Sequence, residues 1–336
     1  MKERILYHTC VASISCGASR ISYRTGDTSL KTPTIYGIIT MKEGAFMSKY
    51  LFVYFVGNKP EEERLHFAVS SDGYHFTPLN NNEPVIEHNK GKKCVRDPFI
   101  FKGQDGFSYI IGTDMMCEEG WESNHALVTW RSADLINWTD ETIIDIKSLG
   151  EDYADTTRAW APQAMWDEDA GMYMLYWAHS TKRHNVAGLY YAHSADMKTI
   201  TEPKPLYCRE GIQTIDGDII YNEKEKLYYL FFKHDEDQTI AYVTSEKLTG
   251  PYKDEPVVVS LAPSGAEGSQ MYRLEGADKY ILIMDEYSKG RFFMQETTDF
   301  KNYTLVEDYS MDFGPRHGSI MAITDEEYER LIKHYC

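Results

Sequence analysis

Nothing in the 336 residues approaches the ~18 consecutive apolar positions that a membrane-spanning helix needs. Positive charge is also short. Thirty-five Lys and Arg stand against 52 Asp and Glu, a formal charge of −17. That balance argues against nucleic acid or an anionic membrane as the main partner, because both require a basic face. Cysteine is sparse and scattered (Cys10, Cys16, Cys94, Cys117, Cys208, Cys336), with no Cys-x-x-Cys pair and no Cys/His ligand spacing. A zinc site is therefore not expected. A chain of this length can bury a core without disulfides, so reduced thiols in a cytoplasmic protein are the simpler reading, with a secreted or periplasmic location left open.

The basic residues that do occur gather at the start. Residues 1–46 carry six Lys or Arg against three Asp or Glu and show little periodicity. Their opening, MKERILYHTCVASISCGAS, faintly resembles a secretion signal, but His8, Thr9 and Ser13 interrupt its apolar run. The expectation is a basic, poorly ordered extension over 1–46 and one folded domain over 47–336.

Aromatic residues are plentiful, with 25 Tyr, 14 Phe and 6 Trp. Most are accounted for by strands, whose pleated surfaces pack aromatics well; others are available to stack on sugar rings. A Tyr-containing apolar run recurs five times: KYLFVYF (49–55), FSYIIGT (107–113), MYMLYWA (172–178), LYYLFFK (227–233) and KYILIMD (279–285). Each reads as a buried strand. A second strand follows each, ending in Ser/Thr-x-Asp or a near relative, where Asp and Ser side chains bond nearby backbone in a turn. The fourth copy, with Glu246 and Lys247 at that place, is the weakest.

A third element completes the repeat. DPFIF (97–101), APQAM (161–165), DGDII (216–220), EGSQM (267–271) and HGSIM (317–321) each open on one residue, continue with Pro or Gly and place an apolar residue fifth. Four strands in roughly 50–60 residues match one blade of a β-propeller. The sequence thus predicts an all-β, five-bladed β-propeller. HGSIM follows the last full unit, so the C-terminal strand is expected to close the ring on the first blade. The closing TDEEYERLIKHY (324–335) predicts a short helix: Thr324 and Glu327 have capping-box spacing, and Tyr328, Leu331, Ile332 and Tyr335 share a face.

Innermost propeller strands line a central channel, so their first residues meet at one mouth. Asp97, Asp216, Glu267 and His317 are thereby expected within reach of one ligand. Cleaving a glycosidic bond calls for such a set: one carboxylic acid protonates the leaving oxygen, and a carboxylate on the other face activates water or attacks directly. Grouped acids also raise one another's pKa, which keeps one protonated near neutrality.

On VRDPFIF, RAWAPQAMWD, TIDGDIIY, GAEGSQMY and PRHGSIMAIT, spanning residues 48–330, the chain resembles glycoside hydrolase family 43, the five-bladed β-xylosidases, α-L-arabinofuranosidases and arabinanases. The resemblance implies that Asp97 is the general base, Glu267 the general acid and Asp216 the residue that tunes that acid and orients substrate. It implies inversion of configuration, with carboxyls roughly 6.5–9.5 Å apart. It also implies that His317 holds a water or a calcium ion on the axis. Gln163 stands where relatives often have an acid, leaving an amide for a sugar hydroxyl. Asp218, expected by strand alternation to point the same way as Asp216, leaves the choice between the two open.

Trp160 is placed either to floor a sugar pocket or to pack a blade. Arg96 and Arg316 each precede a channel residue and would either bond sugar hydroxyls or form structural ion pairs. The expected function is an inverting, exo-acting hydrolase releasing arabinofuranose or xylose from plant-type oligosaccharides. Two readings stand beside it: an invertase-like hydrolase or glycoside phosphorylase on the same fold, and a non-catalytic glycan-binding propeller. Inter-blade loops, 114–128 and 179–188 among them, would set specificity.

Overall fold

The computed structural model describes residues 47–336, apart from 254, 263 and 264; the expected extension over 1–46 lies outside the described residues. Each apolar run forms a strand because it alternates into the pleat and ends at Gly or an Asp-containing turn. The strands group into five four-stranded antiparallel sheets. From the centre outward, blade I comprises Ser319–Thr324, Met47–Tyr54, His66–Ser70 and Phe76–Pro78. Blade II comprises Val95–Lys102, Ser108–Asp114, Ala126–Ser132 and Trp138–Asp145. Blade III comprises Thr156–Asp167, Met172–Thr181, Gly188–Ser194 and Lys204–Tyr207. Blade IV comprises Thr214–Asn222, Leu227–His234, Thr239–Ser245 and Val257–Val258, and blade V Glu267–Leu274, Lys279–Glu286, Arg291–Thr297 and Thr304–Leu305.

The predicted closure is present: Phe52 pairs with Ile320 and Val53 with Ser319, so blade I is built from distant parts of the chain. Helix Asp325–Tyr335 follows, its first turn satisfied by a reciprocal Thr324–Glu327 capping box. Leu331 is fully buried in the core shared by blades I and II. Among the described residues no helix is long and apolar enough to cross a membrane, and Cys94, Cys117, Cys208 and Cys336 are free thiols.

The apolar core is divided among the five seams between blades. Phe67, Ile110 and Trp130 join I to II, and Ile111, Tyr173 and Trp177 join II to III. Tyr176, Leu189 and Phe232 join III to IV, Phe231, Leu282 and Phe300 join IV to V, and Phe52, Tyr272 and Phe292 join V back to I. Aromatic rings occur in every seam, where they help fill the wedge between two twisted sheets.

The Ser/Thr-x-Asp turns form as expected in four blades. Asp72 Oδ1 accepts from the Tyr74 and His75 amides, Asp134 from Ile136 and Asn137, Asp196 from Lys198 and Thr199, and Asp299 from Lys301 and Asn302. Burial pushes the Asp72 and Asp134 carboxyls up, yet these amides win and bring both down to about 2. In blade IV, where Glu246 and Lys247 replace the motif, the Lys247 amide donates to the Ser245 hydroxyl.

A second set of polar bonds ties neighbouring inner strands together below the channel mouth. The Ile100 amide donates to Ser319 Oγ (2.7 Å), Ile320 to Gln270 Oε1 (2.7 Å) and Met271 to Asp218 Oδ2 (2.8 Å). The Ile219 amide donates to the Tyr176 hydroxyl (3.0 Å), which in turn donates to Gln163 Oε1 (2.6 Å). Each acceptor, or the residue that anchors it, occupies the same place in its repeat. At the remaining seam that place is Phe99, which has no acceptor to offer and stacks on Phe101 instead.

Candidate active site

Every inner strand of blades II to V breaks its ladder near its start. The register slips between Arg96 and Phe99, Trp160 and Gln163, Ile215 and Asp218, and Glu267 and Gln270. Within each slip one residue takes a left-handed conformation: Asp97 (φ 49°), Ala161 (46°), Asp216 (56°) and Gly268 (56°). Such bulges re-aim a side chain away from the sheet, here into the channel mouth. They also correct the repeat as read from sequence. In blade V the position equivalent to Asp97 and Asp216 is Gly268, not Glu267. A Cβ on Gly268 would lie 2.4 Å from the His317 ring, so only glycine fits there. Glu267 therefore shares the position of Arg96, Trp160 and Ile215.

The four expected residues nevertheless meet. Asp97, Asp216, Glu267 and His317 line one hollow together with Arg96, Trp160, Trp121 and Met115. The Thr113 hydroxyl donates to Asp97 Oδ2 (2.9 Å), and His317 Nδ1 stands 3.5 Å from Oδ1. The Gly268 amide donates to Asp216 Oδ2 (2.9 Å). Burial pushes the Asp216 carboxyl up to about 6; the nearby His317 charge opposes that rise, and the negative charges of Glu267 and Asp97 add to it.

Glu267 sits between two cations. Lys233 Nζ is 2.9 Å from Oε2, and Arg316 Nη2 is 3.6 Å from Oε1. Arg316 Nε is itself fixed by Asp285 (2.7 Å), whose carboxyl burial pushes upward and Arg316 pulls back. Arg316 thus braces Glu267 and Asp285 and is the ion-pair residue of its two sequence readings. Arg96 is likewise spent structurally, bonding the buried Glu63 at 3.0 Å and Asn58 at 2.8 Å. Its guanidinium lies under the rings of Phe55 and Trp121.

Two expectations change. Gln163 does not line the hollow; its amide oxygen anchors the Tyr176 hydroxyl in the strut between blades III and IV. Asp218 is also withdrawn: the bulge at Asp216 and Gly217 breaks the alternation that would have aligned the two acids, and Asp218 turns to the Met271 amide. Burial raises it to about 7. Trp160 does line the hollow, with its indole N–H buried and unpartnered, and Trp121 meets it edge-on at 6.2 Å.

Thr113, Lys233 and Asp285 were not picked out from sequence as site residues. All three end Tyr strands, and each pairs with the residue just ahead of a bulge: Thr113 with Arg96, Lys233 with Ile215, Asp285 with Glu267. A polar residue closing an otherwise apolar strand was the available signal. Trp121 lies in the 114–128 loop, outside the repeat, and is half exposed; no periodic signal marks it.

Calcium takes six to eight oxygen ligands. Among the described residues no group of three or more His, Cys, Asp or Glu is arranged to hold a metal. His317 Nδ1 faces Asp97 Oδ1 at 3.5 Å. This side-chain set does not fit a calcium ion.

Residues 46–329 match the family described as "Probable glycosyl hydrolase domain", a group related to family 43. The chain belongs to this glycosyl hydrolase family. No curated protein matches it. Among solved structures, the catalytic domain of the Coprinopsis cinerea family 62 α-L-arabinofuranosidase is similar at 17% identity and TM-score 0.52, over 70% of this chain and 74% of that one. A family 43 β-1,3-galactosidase with galactodeoxynojirimycin aligns at 11% identity and TM-score 0.56, over 79% and 92%. A mutant of the Bacillus licheniformis family 43 protein BlXynB aligns at 13% and 0.53, over 83% and 55%. At these identities the likeness is one of fold. Family membership makes the protein a glycosidase acting on carbohydrate, and the non-catalytic reading falls away.

Proposed function

We propose that this glycosyl hydrolase is an inverting, exo-acting enzyme that releases arabinofuranose or xylose from short plant-type oligosaccharides. The observation that carries the reading is the convergence of Asp97, Asp216 and Glu267 on one hollow from three different blades. Asp97 is the base: Thr113 occupies one carboxyl oxygen and leaves the other to take a proton from water. Glu267 is the acid that protonates the leaving oxygen, held in place by Lys233 and Arg316. Asp216, buried in the same hollow, orients the sugar and keeps a proton near Glu267. Water attacks the anomeric carbon, the bond to the leaving oxygen breaks, one proton moves to Asp97 and one leaves Glu267, so charge balances. Trp160 and Trp121 supply apolar faces for the sugar ring.

Hydrolysis of 4-nitrophenyl α-L-arabinofuranoside and β-D-xyloside, with NMR of the first-formed anomer, tests the reading. Turnover of one pentoside with inverted product is expected; retention, or cleavage of hexosides alone, overturns it. Asp97→Asn and Glu267→Gln should each lower kcat/KM by roughly 10²–10⁴-fold while circular dichroism and unfolding midpoint stay near wild type. Normal rates in both variants would mean that other groups do the chemistry.

A further inference from the structure

A cavity of about 690 Å³ lies in blade III, far larger than the hollow between the acids. It opens at the same end of the blade, because His179 in its wall pairs with Ala159, one residue ahead of Trp160. The two spaces share a partition. Arg158 stacks over the Trp160 ring at 5.0 Å and donates from Nη1 to the Asn185 carbonyl (2.7 Å), and Asn185 lines the cavity.

We propose that this cavity is a second saccharide-binding site, taking a neutral sugar unit of the substrate beyond those held at the acids; the proposal rests on the glycosidase activity but not on the pentose preference. The wall is chemically suited to a sugar. Tyr153 and Tyr190, both half-buried, line the cavity with their rings tilted against His179, centroids 5.9 and 4.8 Å away, which offers aromatic surface for sugar C–H groups. Burial pushes His179 down to about 4, so that surface is uncharged at neutral pH. Each guanidinium around the cavity is matched by an acid: Arg183 by Asp155, Arg209 by Glu236 and Arg158 by Glu122. Paired charges offer hydrogen bonds to hydroxyls without selecting an anion.

The size fits as well: small-molecule sites run to about 300–1,000 Å³.

The test uses Glu267→Gln protein, slowed enough that substrate persists through the titration, with calorimetry of xylo-, arabino- and β-1,3-galacto-oligosaccharides of two to six units. Affinity should rise at least about tenfold with length in one series, and Tyr190→Ala or Arg209→Gln should remove that rise. In the active protein the same two changes should leave aryl glycoside hydrolysis within about twofold. Affinity flat with length in all three series, or a rise that survives in both variants, overturns the proposal. A protein that lengthens its grip on galactosides and cleaves only those would sink the pentose reading and leave this site standing.

Discussion

In the proposed mechanism Lys233 is the residue that positions the acid. It closes an apolar strand, its ammonium is almost wholly buried, and it touches both the Glu267 carboxylate and, at 4.9 Å, the Tyr287 ring. Burial works against its charge, but the negative charges of Glu267 and Asp216 outweigh that and raise its pKa. In Lys233→Met the Glu267 carboxylate loses the cation that holds it at 2.9 Å, so kcat/KM for an aryl glycoside should fall at least about tenfold through misplacement of the acid, while Lys233→Arg should keep more of the activity. An unchanged kcat/KM in the Met variant would remove Lys233 from the positioning of Glu267.

At the level of the element, the bulged inner strand explains both what the sequence revealed and what it concealed. Asp97 and Asp216 were legible because an acid followed by Pro or Gly opens a repeat unit at blade spacing. Glu267 was found for a partly mistaken reason: Glu-Gly imitates Asp-Pro in the sequence, but backbone conformation assigns the bulge to Gly268. Gln163 misled because an amide two places past a bulge looks available, whereas the Tyr176 hydroxyl claims it. Lys233, Thr113 and Asp285 were hidden within runs whose apolar character dominated the pattern. The closing strand makes a sharper demand. A Cβ on Gly318 would lie 2.1 Å from the Val53 carbonyl oxygen and 2.9 Å from Tyr54 Cα, both backbone atoms that cannot swing aside. Gly318→Ala should therefore cost about 1–3 kcal/mol, as overpacking does, seen as a lower urea midpoint; an unchanged midpoint would show that the closure tolerates slippage.

Across the whole molecule, the ring of inter-blade struts links stability to pH. Asp218 is raised from 3.8 to about 7 by burial, its Met271 amide bond opposing the rise. For a carboxyl raised on folding, the contribution is full below about 4 and is lost as pH climbs towards about 7. Asp218→Asn keeps the shape without the proton. Relative to wild type it should be about equally stable near pH 4 and more stable at pH 8, by on the order of 4 kcal/mol, in urea unfolding at both values. Equal midpoints at pH 8 would show that folding does not raise the Asp218 carboxyl. The turn aspartates act at the other extreme: their lowered values give stability that disappears as pH falls from about 4 towards 2. The pairing of Phe52 with Ile320 also fixes an order of events during synthesis. While the ribosome works through the intervening four blades, strand Met47–Tyr54 waits with one edge bare, a template for any passing strand. Completion of the barrel-like ring, and with it protection from such encounters, comes only when Ser319–Thr324 has left the exit tunnel.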